Sequence, residues 1–261
     1  MAIAVAVGPV TAGITSGNTS FTLTLTGTSA GQSIVVGVAF QSSFSSVTSI
    51  TCSGESALTV DTATATASST RALLAYLGEI TAGGDKTITV TMSHSAPGNN
   101  YASAYAVALS GTDTASFFDV SAGSTATSSS PSTSVTTTNA NAAIFAVAVA
   151  DSTSSGDFTA GSGYTLVGMS DSTNRSFNGE YDVDVGAAGA KTVDFGLGGS
   201  QTWAVRAAAF NPQPPGSTGT SEFTLPLFSV EADSGETIGT ANNQVPIFTV
   251  FAEDGDRKSV V

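Results

Sequence analysis

A chain of 261 residues with 41% hydrophobic content can bury a sizeable core, as one large β domain or two small ones. Only 10% of its residues are charged, against roughly 25% in an average soluble protein. The formal net charge is −13, and Lys86, Lys191 and Lys258 are the only lysines. That balance excludes a nucleic-acid backbone and an anionic membrane surface as partners, because both demand clustered Lys and Arg.

The polar surface must be built from Ser, Thr, Asn and Gly, a composition typical of extracellular and virion β proteins. Cys52 is the only cysteine, so an intrachain disulfide and a Cys-based zinc site are both excluded. Cys52 lies in the strand pattern VTSITC and is expected to be a small buried hydrophobe. The opening MAIAVAVGP has no basic region and breaks at Gly8-Pro9, so it is not a classical secretory signal. No run approaches the ~18 apolar residues of a membrane helix. A chain composed for the outside without an export signal suits a virion protein released by lysis, a processed fragment or a non-classical secretion substrate.

In chain order, residues 2–7 form a short apolar strand, read as an edge or an exchanged arm. Residues 21–26 alternate, with Phe21, Leu23 and Leu25 on one face and Thr22, Thr24 and Thr26 on the other, the pattern of a half-buried antiparallel strand. Residues 33–40 are apolar on both faces, with Gly37 marking a bulge or a close contact. Residues 47–52 and 57–61 flank a turn, 71–77 read as a central strand, and 86–92 point Ile88, Val90 and Met92 inward. Residues 101–110 close the first half. The segment 111–131, with its Ser/Thr run, is expected to be a solvated crossover. Strands then return at 134–138, 142–150, 164–168, 175–185, 191–197 and 201–210. No sustained helical periodicity occurs.

Two segments match: ITAGGDKTITV at 80–90 and VGAAGAKTVDF at 185–195. Each is a Gly/Ala-rich turn, Lys-Thr and an alternating strand, and the apolar strands on either side also match. Lys86 and Lys191 read as surface residues at the turn exits. The fold class is therefore all-β: a double-sheet, jelly-roll-like sandwich of two similar Greek-key halves. Two immunoglobulin-like sandwiches are the alternative, but each half offers only about five or six strands of the roughly seven needed. The organisation follows as an N-terminal arm (1–18), the sandwich (19–211), a Pro/Gly/Ser/Thr linker (212–221) and a C-terminal β extension (222–261). In the extension LPLFSV at 225–230 returns as VPIFTV at 245–250, an offset of 20 residues. Two short strands need something to pack on. Phe223, Leu225, Leu227, Phe228, Val230, Val245, Ile247, Phe248 and Val250 are therefore the candidate partner-binding residues.

Catalytic signals are weak. His94 is the only histidine, in a Ser-His-Ser-Ala-Pro-Gly loop that reads as solvated surface, and no nucleophile elbow is present. Glu180, Asp182 and Asp184 alternate along one strand, their carboxylates about 6–7 Å apart. A solvated acidic face is the plain reading. Calcium is the candidate ion, since a row of like charges is destabilising unless balanced; Arg175 or Arg206 on a neighbouring strand would serve instead. Trp203 reads as core, alternating with Val205. The charged turn at 253–258 reads as a solvated end or a polar rim to the tail.

The block GQSIVVGVAF, the VTSITCSG hairpin, AGGDKTITV and YAVALSG, with the closing WAVRAAAF, resembles a β-sandwich module of tailed-phage virion proteins and bacterial surface proteins. The resemblance spans about residues 19–211 and carries over no catalytic residue. It implies a jelly roll and a non-enzymatic role in capsid decoration, head fibres or tail accessories. The expected partners are other copies of the chain, as a trimer for instance, and virion proteins such as the capsid. A carbohydrate-binding adhesin, calcium-dependent through Glu180, Asp182 and Asp184 and with Tyr101 or Tyr164 at the site, is the alternative.

Overall fold

The structure, a computed structural model, describes residues 1–41, 46–61, 65–98, 101–151, 158–169, 171 and 175–215. The candidate tail residues Phe223 to Val250 lie outside these. Among the described residues every regular element is a strand, and every named strand pair is antiparallel.

The first half builds two sheets. The larger runs in the order β1 (Ala4–Gly13), β9 (Ala102–Ser110), β3 (Ser33–Gln41), β7 (Thr70–Leu77) and β5 (Thr59–Val60), with β6 (Ala65–Ala67) also on β7. The smaller is β2 (Ser20–Thr28), β8 (Gly84–Met92) and β4 (Val47–Cys52). β1 to β4 and β7 to β9 switch sheets at each step, and β1-β9-β3-β7 over β2-β8-β4 is jelly-roll order. Alternation drives the pairing. Phe21, Leu23, Leu25, Ile50, Ile88 and Val90 on the small sheet meet Ile34, Val36, Val38 and Phe40 on the large one, with Cys52 in the same core.

The second half repeats this plan. Its large sheet is β10 (Phe118–Ser128), β16 (Gln201–Phe210), β12 (Ala143–Ala150), β14 (Ser176–Asp182) and β13 (Thr165–Leu166), and its small sheet is β11 (Ser132–Thr137) with β15 (Gly189–Asp194). Turn hydrogen bonds fix the correspondence. Ile80 N–H donates to Gln32 O (2.6 Å) as Val185 N–H does to Ala142 O (3.1 Å). The matched Lys-Thr segments are thus equivalent strands, β8 and β15, and Ile34 corresponds to Ile144. In the second half no named strand stands where β4 pairs with β8 in the first; the segment 158–169 packs there instead, Phe158 joining the core with Val135, Val193, Phe195 and Trp203.

The all-β sandwich of two similar halves is as expected. The layering is richer than a single pair of sheets, because each half closes its own sandwich and the two stack through their large sheets. The cause is apolar character on both faces: β3, β9, β12 and β16 are buried almost throughout. One face of each covers its own small sheet. The other contributes to a central core in which Val35, Leu74, Tyr105 and Val107 meet Phe145, Val147, Phe177 and Phe210. Tyr76, Phe117 and Phe118 seal one end of it, with Tyr76 stacked on Phe118 and Phe117 on Phe210 at ring separations of 5.0 and 4.5 Å.

The apolar run at 2–7 lies at a sheet edge, as expected, within a longer strand, while the segment 111–131 differs from its expected role. The arm at 1–18 contains β1, a full strand bonded to β9, and its register shifts around Pro9, which has no N–H to give. The supposed crossover at 111–131 contains β10, the edge strand on β16, paired from Phe118 to Ser128. Its Ser/Thr/Gly sequence lacks a strand signature because an edge strand over a half-exposed face needs little apolar alternation. Pro212, assigned to the linker, bridges back to Thr112, and Gln213 N–H donates to Gly111 O at 2.8 Å.

Candidate functional site

The two sandwiches differ most along one strand. On β14, Asn178, Glu180 and Asp182 lie opposite Ala148, Ala146 and Ile144 of β12. The corresponding residues of β7 are Leu73, Ala75 and Leu77, opposite Val38, Val36 and Ile34 and all in the first apolar core. Three apolar core positions of one sandwich are therefore polar in its sister. In the first sandwich β4 helps cover this face; in the second, 158–169 does.

Glu180 is completely buried. Its Oε2 accepts the Gly161 N–H at 2.8 Å, while Oε1 has no hydrogen-bond partner. Burial, opposed by the Gly161 N–H and reinforced by Asp194, pushes its carboxyl up to about 7. Gly161 lies hard against β15: a Cβ there would sit 2.2 Å from the Asp194 carbonyl oxygen. Tyr164 donates its hydroxyl to Thr192 O at 3.3 Å, and burial with the charges of Glu180, Asp182 and Asp194 raises its phenol. Asn178 Oδ1 accepts the Gly168 N–H at 2.9 Å.

The calcium expectation for Glu180, Asp182 and Asp184 is corrected by this arrangement. Strand alternation stops at Asp182, so the three do not form a row. Asp182 Oδ1 accepts the Asp184 N–H (3.0 Å) and Asp184 Oδ1 the Gly186 N–H (3.1 Å), so both carboxylates cap the turn backbone. Among the described residues no group of three or more His, Cys, Asp or Glu side chains is placed to hold a metal ion. Arg175 pairs with Asp151 and Arg206 with Asp61, rather than with this strand.

Other singled-out residues fall as follows. Lys86 is not at the surface: it is buried and donates to Glu55 Oε1 at 2.6 Å. Although burial works against the charged form, Lys86 and the donors of Thr81 and Ala82 hold the Glu55 carboxyl down at about 2. This pair spans 31 residues of sequence, and no local pattern announces it. Lys191 donates to Val185 O at 2.6 Å. His94 is exposed beside Ser93, its Nδ1 3.0 Å from the hydroxyl. Trp203 and Cys52 are core residues as expected, and burial raises the Cys52 thiol. Tyr101 packs on the first core.

A cleft of about 850 Å³ opens where Met1, the connection after β9 and the segment after β16 converge. Asp113, Asn139, Asn141, Asp184, Asn211 and Gln213 bring polar groups to it, and Pro212, Pro214 and Pro215 form an apolar side. Its amides are pre-set: Asn139 Nδ2 donates to Asn211 Oδ1 at 2.9 Å, and Asn211 Nδ2 to Ser116 O at 2.8 Å. Among the described residues its charged groups are the Met1 ammonium and the carboxylates of Asp113 and Asp184, an acidic balance that suits hydroxylated ligands better than phosphates. Asp184 is the one residue of the expected glycan site that reaches it.

Fold and sites together define an all-β protein of two tandem antiparallel sandwiches whose cleft is lined by amides, hydroxyls and carboxylates. A scan against protein-family models finds no match, and a search of curated proteins finds no similar sequence.

Proposed function

We propose that the protein is a non-enzymatic structural subunit of a virion, of the capsid-decoration, head-fibre or tail-accessory kind, that assembles through its C-terminal strands. The observation that supports it is that Met1 and the segment after β16 meet at one end of the described residues. The Met1 ammonium donates to Gln213 O at 3.3 Å, and Thr112 bridges Pro212. The strand ends at Gln41, Ala102, Ala150 and Ser176 lie at the opposite end. In this reading the end holding Met1 and Gln213 serves attachment and the opposite end serves display. The apolar residues Phe223, Leu225, Leu227, Phe228 and Val230, and their repeat at Val245, Ile247, Phe248 and Val250, supply the attachment by strand addition to copies of the chain or to the capsid. Deleting 222–261 and measuring oligomer size and particle binding tests this reading.

The cleft favours carbohydrate binding as a second reading. Planar amides and carboxylates bridge neighbouring sugar hydroxyls, and prolines offer a C–H face. Binding on a glycan array, unchanged by a chelator and lost in Asn139→Ala and Asp184→Ala, is the outcome this reading requires.

A further inference from the structure

The sister sandwich shows what the second one does without. At the position of Glu180 the first sandwich carries Ala75, so the fold itself does not require a carboxyl there. Glu180 is instead buried with one oxygen bonded to the 158–169 segment and the other unpartnered. A buried ionised carboxylate needs several donors or a cation.

Among the described residues the surroundings supply neither. From its own strand come Asn178, whose carbonyl oxygen is bonded to the Gly168 and Gly179 amides, and the acid Asp182. From β15 comes Asp194, and from the covering segment Tyr164. Behind lies Tyr105 of β9, whose hydroxyl is given to Ala146 O. The nearby bases are engaged elsewhere: Lys191 with Val185 O, Arg175 with Asp151 and Arg206 with Asp61. Protonation removes a like charge from this group of acids and leaves the Gly161 bond intact; ionisation places an unbalanced charge beneath the segment.

We propose that Glu180 is a proton-operated latch: neutral, it holds the 158–169 segment closed on β14, and ionised, it releases it. The same segment carries β13, two residues on the outer edge of β14, and Val167, whose N–H donates to Gly179 O at 2.8 Å. Release therefore uncovers the edge of a sheet as well as a polar face. Acid closes that edge, and neutral to alkaline solution opens it. A shift of the carboxyl from the model-peptide range near 4.5 to about 7 supports the direction.

Amide hydrogen exchange on the full chain, corrected for intrinsic rates, tests the latch. Between about pH 4.5 and 8.5, protection of 158–169 should fall on the order of 100-fold while β3 and β9 hold theirs. Glu180→Gln, a neutral isostere, should keep acid-like protection at both pH values. Protection that ignores pH in the wild type, or a Gln variant that loses it as the wild type does, overturns the latch. Should that variant not fold, the side-chain carbonyl resonance of Glu180 decides in the wild type. A midpoint near 7 in step with the 158–169 amides supports the proposal; a midpoint near 4.5, or amides that do not follow it, overturns it.

Discussion

Tyr105 of the first sandwich packs directly on Gly179 of the second: a Cβ at 179 would lie 2.5 Å from the Tyr105 Cε1. On its other side the ring covers Gly37, its cross-strand neighbour, where a Cβ would lie 2.2 Å from the same atom. The hydroxyl continues into the second half as a donor to Ala146 O at 3.1 Å. Two glycines on different sheets therefore make the slot for one ring, and the two sandwiches are held at that spacing. Gly179→Ala and Gly37→Ala should each destabilise by roughly 1–3 kcal/mol through overpacking. Tyr105→Phe should cost only about 1 kcal/mol, the net value of one hydrogen bond. Urea denaturation of the three variants checks the order.

Arg206 occupies the place in the second sandwich that Tyr105 has in the first. It crosses to Asp61 with Nε and Nη2 both on Oδ2, at 2.7 and 2.5 Å, and also donates to Ser121. The pair is almost fully buried, so removing one member leaves the other's charge without its counter-ion. Asp61→Ala and Arg206→Ala should each destabilise by about 3–5 kcal/mol. The double variant Arg206→Met/Asp61→Leu should lie closer to wild type than either, because a buried ion pair is replaceable by packed apolar groups. Thermal melts of the three variants are the check.

The strands of the small sheet were legible because only one of their faces is apolar: Phe21, Leu23 and Leu25 of β2 alternate with threonines, and Ile88 and Val90 of β8 do the same. The matched Lys-Thr segments located the duplication for the same reason. The layering was also written in the chain, though it was read as a two-layer sandwich. Residues 33–40 and 142–150 are apolar on both faces, and a doubly buried strand requires a third layer. β10 and the Lys86–Glu55 pair were not legible. One is an edge strand of Ser, Thr and Gly; the other joins residues that only the folded sandwich brings together. At β14 the alternation of acids was visible, but burial of Glu180 depends on how the 158–169 segment, read only as a strand at 164–168, folds over it.

The two buried glutamates should give stability opposite pH slopes. Glu55 is held at about 2 in the folded chain, below its unfolded value. Its contribution is present above about pH 4.5 and is lost as pH falls toward 2. Glu180 is raised to about 7, so the folded state binds the extra proton, and stability declines as pH rises from about 4.5 through 7. Glu180→Gln should therefore be more stable than wild type at pH 8 and indistinguishable from it at pH 4. Glu55→Gln should be less stable at pH 7, with the gap closing in acid. Chemical denaturation across this pH range reads both.

Removal of 222–261 tests the proposed structural role most directly. Sedimentation of the full chain and of the truncated chain, each with a far-ultraviolet spectrum, is the measurement. The account predicts a folded β body from both, a defined oligomer from the full chain and a monomer from the truncated one. A truncated chain that keeps the oligomer, or a full chain that stays monomeric and binds no particle, would contradict it.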